Sequence, residues 1–250
     1  MISKLHSNKP KPLAVSVIVP LYNEQKSIPE VLTKIQQALI DIPHEVILVD
    51  DGSVDGTEEV VTKMLKDNHK LIVLEGNHGQ SVALLAGFEN SRYDLIVVMD
   101  GDGQVDPNDI VRMYGLFVEG DSELIHGVRH SRRDPFFKKG VSLVANAMVR
   151  QILGSDILDA GCPMKIFKRS ILNGFPYFNG YHRLFPVVAQ KIGIKVSQVP
   201  INHSPRKHGT SNYGIGRTLH VLRHVWALSS NPMAMRENLS YKVKNIVQGT

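Results

Sequence analysis

Apolar and polar positions alternate in blocks from Val15 to about Glu119. Val15–Val19 (VSVIV) is a run rich in β-branched residues, stopped by Pro20, as in a strand buried on both faces. Val31, Leu32, Ile35 and Leu39 then recur at helical spacing within Ile28–Ile40. Glu45–Val49 repeats the buried-strand pattern and closes on Asp50–Asp51–Gly52–Ser53, and Asp55–Gly56–Thr57 opens a helix to about Leu65. Leu71–Leu74 and Asp94–Met99 read as further strands with a helix, Ser81–Phe88, between them; Pro107 suits the start of the next helix. Repeated strand–helix alternation over short links predicts an α/β, Rossmann-like, mostly parallel sheet with helices on both faces. Ligands of such sheets bind beyond the carboxyl ends of the strands. The polar clusters Tyr22–Glu24, Asp50–Ser53, Asn77–Gly79 and Asp100–Gln104 fall at those ends and read as one site.

Past Glu119 the pattern loosens. Leu124–Val128 and Lys195–Val199 suggest strands, Met164–Phe167 an extended segment, and Val141–Leu153, Leu184–Lys191 and Ile215–Leu228 helices. No repeat or long linker divides the chain. The expected organisation is a flexible lead-in over 1–13, one domain over 14–214 and a C-terminal amphipathic helical extension over 215–250.

Composition narrows the class. A length of 250 residues with 42% apolar content suffices for one large core. A single cysteine, Cys162, excludes an internal disulfide and a cysteine-rich zinc site. The net charge of +5 leans towards anionic partners, but no nucleic-acid-binding signature accompanies it, so nucleic acid is not an expected partner. The basic N-terminus lacks the apolar centre of a secretory signal, and no run approaches the roughly 18–20 apolar residues of a membrane span.

The chemistry concentrates in VMDGDGQVD, where Asp100 and Asp102 follow a buried strand. An EF-hand loop beginning at Asp100 would need glycine at 105 and glutamate at 111; both are valine. A magnesium or manganese site fits better, because such cations take one or two carboxylates and complete their shell with water and phosphate oxygens. Gln104 could add an amide oxygen. The pair Asp50–Asp51 exceeds what capping needs, and one of them could accept hydrogen bonds from a base edge or ribose hydroxyls. No Gly-x-Gly-x-x-Gly follows a strand and no P-loop lysine motif is present, which disfavours dinucleotide and P-loop binding.

The segments VSVIVPLYNE, VILVDDGSVDGT, NHGQSVALLAGF and VVMDGDGQ together resemble the family-2 glycosyltransferases of the GT-A fold. HGVRHSRRDPFFKK, LDAGCPMKIFKR, GYHRLFPVVAQKIG and VPINHSPRKHGTSNYG resemble the polyprenyl- and dolichyl-phosphate sugar synthases among them, a likeness spanning about residues 14–217. The resemblance implies an inverting, metal-dependent hexosyltransferase moving a sugar from a UDP- or GDP-linked donor to a polyprenyl or dolichyl phosphate. It implies that Pro20, Tyr22, Glu24, Asp51 and Asp100 surround the nucleotide-sugar, and that Asp100, Asp102 and Gln104 hold Mg2+ or Mn2+. Asp159 matches an acid near the reacting centre, and the resemblance counts Asp102 and Arg129 with it as catalytic. Arg132, Arg183, Arg206 and Ser211 match acceptor-phosphate positions. Asn212 stands where relatives commonly carry lysine, as does Gln80.

A polyprenyl phosphate requires work at a bilayer. Without a span, the chain is expected to act peripherally at the cytoplasmic face of a membrane, through the basic amphipathic stretch Ile215–Leu228 or with a membrane-anchoring partner or homo-oligomer. The alternatives are a transferase acting on a saccharide or protein, and a non-catalytic nucleotide-sugar-binding subunit. Cys162 has no histidine partner indicated in sequence and reads as a packed residue.

Overall fold

The computed structural model describes residues 12–130, 147, 149–206, 224–229, 231 and 235–249. Its first half follows the predicted alternation: β1 (Val15–Leu21), α1 (Ile28–Ala38), β2 (His44–Asp50), α2 (Thr57–Met64), β3 (His69–Leu74), α3 (Gln80–Glu89), β4 (Leu95–Val98) and α4 (Asn108–Glu119). β5 (Leu124–His130), β6 (Lys165–Lys168), α5 (Tyr181–Lys191), β7 (Val196–Asn202) and β8 (Val243–Gln248) complete one eight-stranded sheet in the order β7-β5-β6-β4-β1-β2-β3-β8. β4, β1, β2 and β3 pair in parallel, as do β5 and β7; β6 lies antiparallel between β4 and β5.

Two cores flank this sheet. Val17 and Val19 of β1 pack with Leu32, Ile35, Ile110 and Met113 from α1 and α4. Ile18, pointing the other way by the two-residue period of a strand, joins Ala83, Ala86 and Phe88 of α3 and Phe185 of α5. α3 is buried from Ser81 to Phe88, which explains why its sequence is apolar all round. It lies close on β1: a Cβ at Gly87 would stand 2.4 Å from Ile18 Cγ2.

Pro20 does not end β1, which runs on to Leu21. The ladder with β4 stops at Ile18↔Val98, so the missing N–H of Pro20 breaks no pairing on that side, while β2 continues alongside to Leu21↔Asp50. The C-terminus also departs from the expected helical extension. Residues 224–229 are helical, but Val243–Gln248 forms a strand antiparallel to β3. Its β-branched Val243, Ile246 and Val247 suit a ladder, and β3 offers the edge that receives it. Most of the predicted helices over 141–153 and 215–228 lies outside the described residues.

Candidate functional site

The loops after β1 and β2 are clasped together. Asn23 sits at φ 56°, a left-handed conformation that asparagine tolerates. Its backbone N–H donates to Ser53 Oγ at 2.9 Å, and its Oδ1 accepts the Val54 N–H at 2.9 Å. Glu24 N–H donates to Thr57 Oγ1 at 2.9 Å. Tyr22 stands half-buried in the same loop, next to the buried end of β1.

Asp50 and Asp51 divide their work. Asp50 Oδ1 accepts the Ser53 N–H at 2.9 Å and closes the turn, while its buried Oδ2 has no partner among the described residues. Asp51 accepts the backbone N–H groups of His78 and Gly79, one on each oxygen, both at 2.8 Å. It therefore ties the end of β2 to the loop before α3. Burial pushes both carboxyls above the ordinary aspartate range, more strongly than these bonds pull them down. Gly52 makes the tie sterically feasible: at φ +70° its Cα faces the Gly76 backbone, and a Cβ there would stand 2.3 Å from Gly76 C.

Asp100 and Asp102 follow β4. Asp100 Oδ1 accepts Gln80 Nε2 at 2.7 Å, so α3 and β4 meet through that contact. Burial, followed by the neighbouring Asp102 charge, raises the Asp100 carboxyl to about 7. Asp102 is 7% exposed. Its Oδ1 accepts the Gln104 N–H at 3.0 Å, and its Oδ2 lies 2.7 Å from Arg206 Nη2, which also stands 4.0 Å from Glu24 Oε1. Gln104 donates its amide N–H to Ser204 O at 3.3 Å, and its amide oxygen offers lone pairs that could face a cation. A cation placed between the two carboxylates would relieve the repulsion that helps raise Asp100. Among the described residues no group of three or more His, Cys, Asp or Glu gathers as a metal cluster, here or elsewhere, so the two carboxylates would need Gln104 and ligand oxygens to complete a shell.

On β5, Arg129 grips Asp159 bidentately, Nε to Oδ2 and Nη2 to Oδ1, both at 2.7 Å. The carbonyl of Asp159 accepts His126 Nε2 at 2.8 Å, which fixes the proton of this fully buried imidazole on Nε2. Burial drives His126 down to about 3, so the ring is neutral. Cys162 is buried and its thiol pushed up to about 12 by that burial, the state of a packed residue and not of a nucleophile.

The structure thus gathers Pro20, Tyr22, Glu24, Asp51, Asp100, Asp102, Gln104 and Arg206 at neighbouring strand ends, with Arg129 and Asp159 paired on the β5 side and Arg183 near the start of α5. Arg132 and Ser211 lie outside the described residues, as does Asn212. Gln80, noted in the sequence only as standing where lysine is common, holds Asp100, and two groups escaped the sequence reading: His182, whose Nδ1 lies 2.8 Å from Ser81 Oγ, and Lys165, buried at the start of β6. The only signal for Lys165 was a lysine inside the apolar run MKIF.

The chain can be set beside known proteins. It is 31% identical over 227 residues to the undecaprenyl-phosphate 4-deoxy-4-formamido-L-arabinose transferase of Sodalis glossinidius (strain morsitans), spanning 88% of this chain and 69% of that protein. It is 34% identical over 218 residues to the dodecaprenyl-phosphate galacturonate synthase of Rhizobium johnstonii, spanning 84% of this chain and 64% of that one. The glucosyl-3-phosphoglycerate synthase of Mycobacterium tuberculosis, solved with Mn2+, UDP-glucose and phosphoglyceric acid, superposes with a TM-score of 0.68 at 20% identity, covering 90% of this chain and 81% of that one. At that identity the likeness is one of fold, and the fold is GT-A. The model of glycosyl transferase family 2 matches residues 16–175, well over half of the sequence, and so the chain belongs to glycosyl transferase family 2.

Proposed function

We propose that the chain moves a sugar from a nucleotide-sugar to a polyprenyl phosphate at a membrane surface. Both transferase relatives carry a polyprenyl phosphate in their names. The observation that carries the reading is the bidentate clasp of Arg129 on Asp159. A sugar or protein hydroxyl needs a base to take its proton in the transition state. A phosphate acceptor arrives ionised and needs none. A carboxylate with both oxygens committed to a guanidinium is poorly placed as a base, and well placed to aim that guanidinium at phosphate oxygens.

Asp100 and Asp102 fit a Mg2+ or Mn2+ ion, with Gln104 Oε1 as a further oxygen. When bound, the ion neutralises charge building on the departing diphosphate. The remaining work falls to the chain's own residues. Asp51 and the Asn23 loop shape the recess for the nucleoside, and Arg206 lies where it can pass from Asp102 to the diphosphate. Arg129 orients the acceptor, whose phosphate oxygen attacks the anomeric carbon. The bond from that carbon to the diphosphate oxygen breaks, the leaving group takes the electron pair, and the centre inverts. Arg183 supports the acceptor phosphate from α5.

Among the described residues no helix is long and apolar enough to cross a membrane. In this reading the chain meets the cytoplasmic face of a bilayer peripherally, and Trp226, 73% exposed in the helical stretch 224–229, is a contact it offers. Incubation with Mn2+, UDP- and GDP-sugars and undecaprenyl phosphate should yield a glycolipid. Turnover with soluble hydroxyl acceptors alone would overturn the acceptor assignment.

A further inference from the structure

Lys165 is a lysine where β-sheets rarely tolerate one. It is 3% exposed, pairs with Val98 of β4 and His126 of β5 in the sheet, and donates to the carbonyls of Cys162 at 3.2 Å and Pro163 at 3.1 Å. Those bonds use two of its three protons. Among the described residues no carboxylate forms an ion pair with it. Asp100, on the wall of the same cavity, and Asp159 oppose its charge from beyond ion-pair distance, and a buried ammonium so loosely compensated is costly, a cost that folding tolerates where an anion is to be received.

The position of Lys165 says which anion. Along the carboxyl edge of the sheet the order is β2 with Asp51, β1 with Asn23 and Glu24, β4 with Asp100 and Asp102, β6 with Lys165, and β5 with Arg129. β6 runs antiparallel to β4, so its first residue lies at this edge. In the reading proposed above, nucleoside, diphosphate, sugar and acceptor follow one another in that order, and Lys165 stands between the metal carboxylates and the acceptor arginine. The cavity that Lys165 lines is also walled by Gln80, Asp100, His182 and Arg183, while Asp102, Arg206 and Arg129 are not part of its wall. Its wall thus carries Asp100 of the metal pair and Arg183 of the acceptor set, and it lies between the diphosphate and the acceptor, where the transferred sugar belongs. Lys165 and Arg183 outnumber Asp100, whose Oδ1 is already held by Gln80.

We propose that Lys165 reads a carboxylate on the transferred sugar, so that the donor is a nucleotide-linked uronic acid and not the matching neutral hexose. This rests on the nucleotide-sugar reading of the site. A hydroxyl at the same place would bond to the ammonium and leave its charge buried; a carboxylate neutralises it and adds a charge-assisted hydrogen bond.

The test is a binding comparison in Mn2+ with donor pairs differing only at this group: UDP-glucuronate against UDP-glucose, UDP-galacturonate against UDP-galactose and GDP-mannuronate against GDP-mannose, each beside its nucleoside diphosphate. The full chain should bind one acidic donor roughly 10- to 100-fold tighter than its neutral counterpart. Lys165→Met should erase that ratio with nucleoside diphosphate binding unchanged, and Lys165→Arg should restore part of it. Equal or tighter binding of the neutral donors overturns the inference while leaving the nucleotide-sugar reading intact. So does a preference that survives Lys165→Met, or an equal loss of Mn2+ and diphosphate affinity in that variant, which would make Lys165 the counter-charge of Asp100. Failure of both diphosphates to bind overturns the nucleotide-sugar reading and the inference with it. Should Lys165→Met not fold, the ratio measured on the unaltered chain decides.

Discussion

Arg129 and Asp159 face each other across β5 and the LDAGC loop, with both carboxylate oxygens bonded to the guanidinium and a third, weaker bond of 3.3 Å from the Arg129 backbone N–H. Both side chains are largely buried, so the pair fixes loop and strand together. Breaking one side of such a pair strands a buried charge. Asp159→Ala should cost about 3 kcal/mol of stability in denaturant unfolding. Arg129→Met with Asp159→Leu should recover most of that loss without restoring glycolipid synthesis. Recovery of activity in the double variant would show that the pair serves folding alone.

Arg206 holds Asp102 Oδ2 where a metal ion needs it. Arg206→Gln should therefore bind Mn2+ more tightly than the unaltered chain when nucleotide is absent. With a nucleoside diphosphate present the order should reverse, the complex weakening by roughly tenfold, the worth of a charge-assisted bond. Titration followed by Mn2+ paramagnetic resonance separates the two conditions. A variant weaker in both would place Arg206 outside the exchange.

Two glycines with left-handed backbones give a graded test of the nucleoside recess. At Gly76, φ +85°, an added Cβ meets nothing within 4 Å, so Gly76→Ala carries conformational strain alone, about 1 kcal/mol. At Gly52 the same change also drives a methyl into the Gly76 backbone. Gly52→Ala should cost at least about 2 kcal/mol and abolish nucleotide binding, because it forces apart the loops that Asp51 joins. Equal effects of the two substitutions would argue against a tight Gly52–Gly76 contact.

His126 gives the stability of the protein a pH dependence of known sign. Its folded value, lowered by burial from 6.5 to about 3, means that below 6.5 the unfolded chain takes up a proton the folded chain refuses. Its contribution is complete above 6.5 and is lost as the pH falls towards 3, by up to about 1.4 kcal/mol per pH unit. Lys165, Arg129 and Asp159 are the charges around it. His126→Gln should flatten the slope of stability against pH in that window; an unchanged slope would mean that the ring already titrates normally.

The strand ends that form the site were legible because β-branched runs and acidic loop residues are local signals. Asp50–Asp51 and Asp100–Asp102 fall on one edge by those signals alone. The division between Asp50, which closes its own turn, and Asp51, which reaches His78 and Gly79, was not legible, since it depends on a contact 27 residues away in sequence. Lys165 was missed for the same reason. A lysine in MKIF carries no hint that its neighbours in space will be the ends of β4 and β5. β8 was lost because six residues with two lysines nearby read as polar tail, and only the waiting edge of β3 makes them a strand.

β8 is held by more than its ladder: beside β3, Glu75 N–H donates to Lys242 O at 2.9 Å and Gly249 N–H to His69 O at 3.0 Å, and Lys244 pairs with Glu58 of α2 at 2.8 Å. β8 is also the outermost strand beyond β3, with β3, β2, β1, β4 and β6 between it and the strand bearing Arg129. A dye or surface tether attached to a side chain of β8 would therefore leave from the margin remote from Arg129. Immobilised that way, the protein keeps the Arg129–Asp159 side open to solution, the side to which the proposed function gives the lipid phosphate.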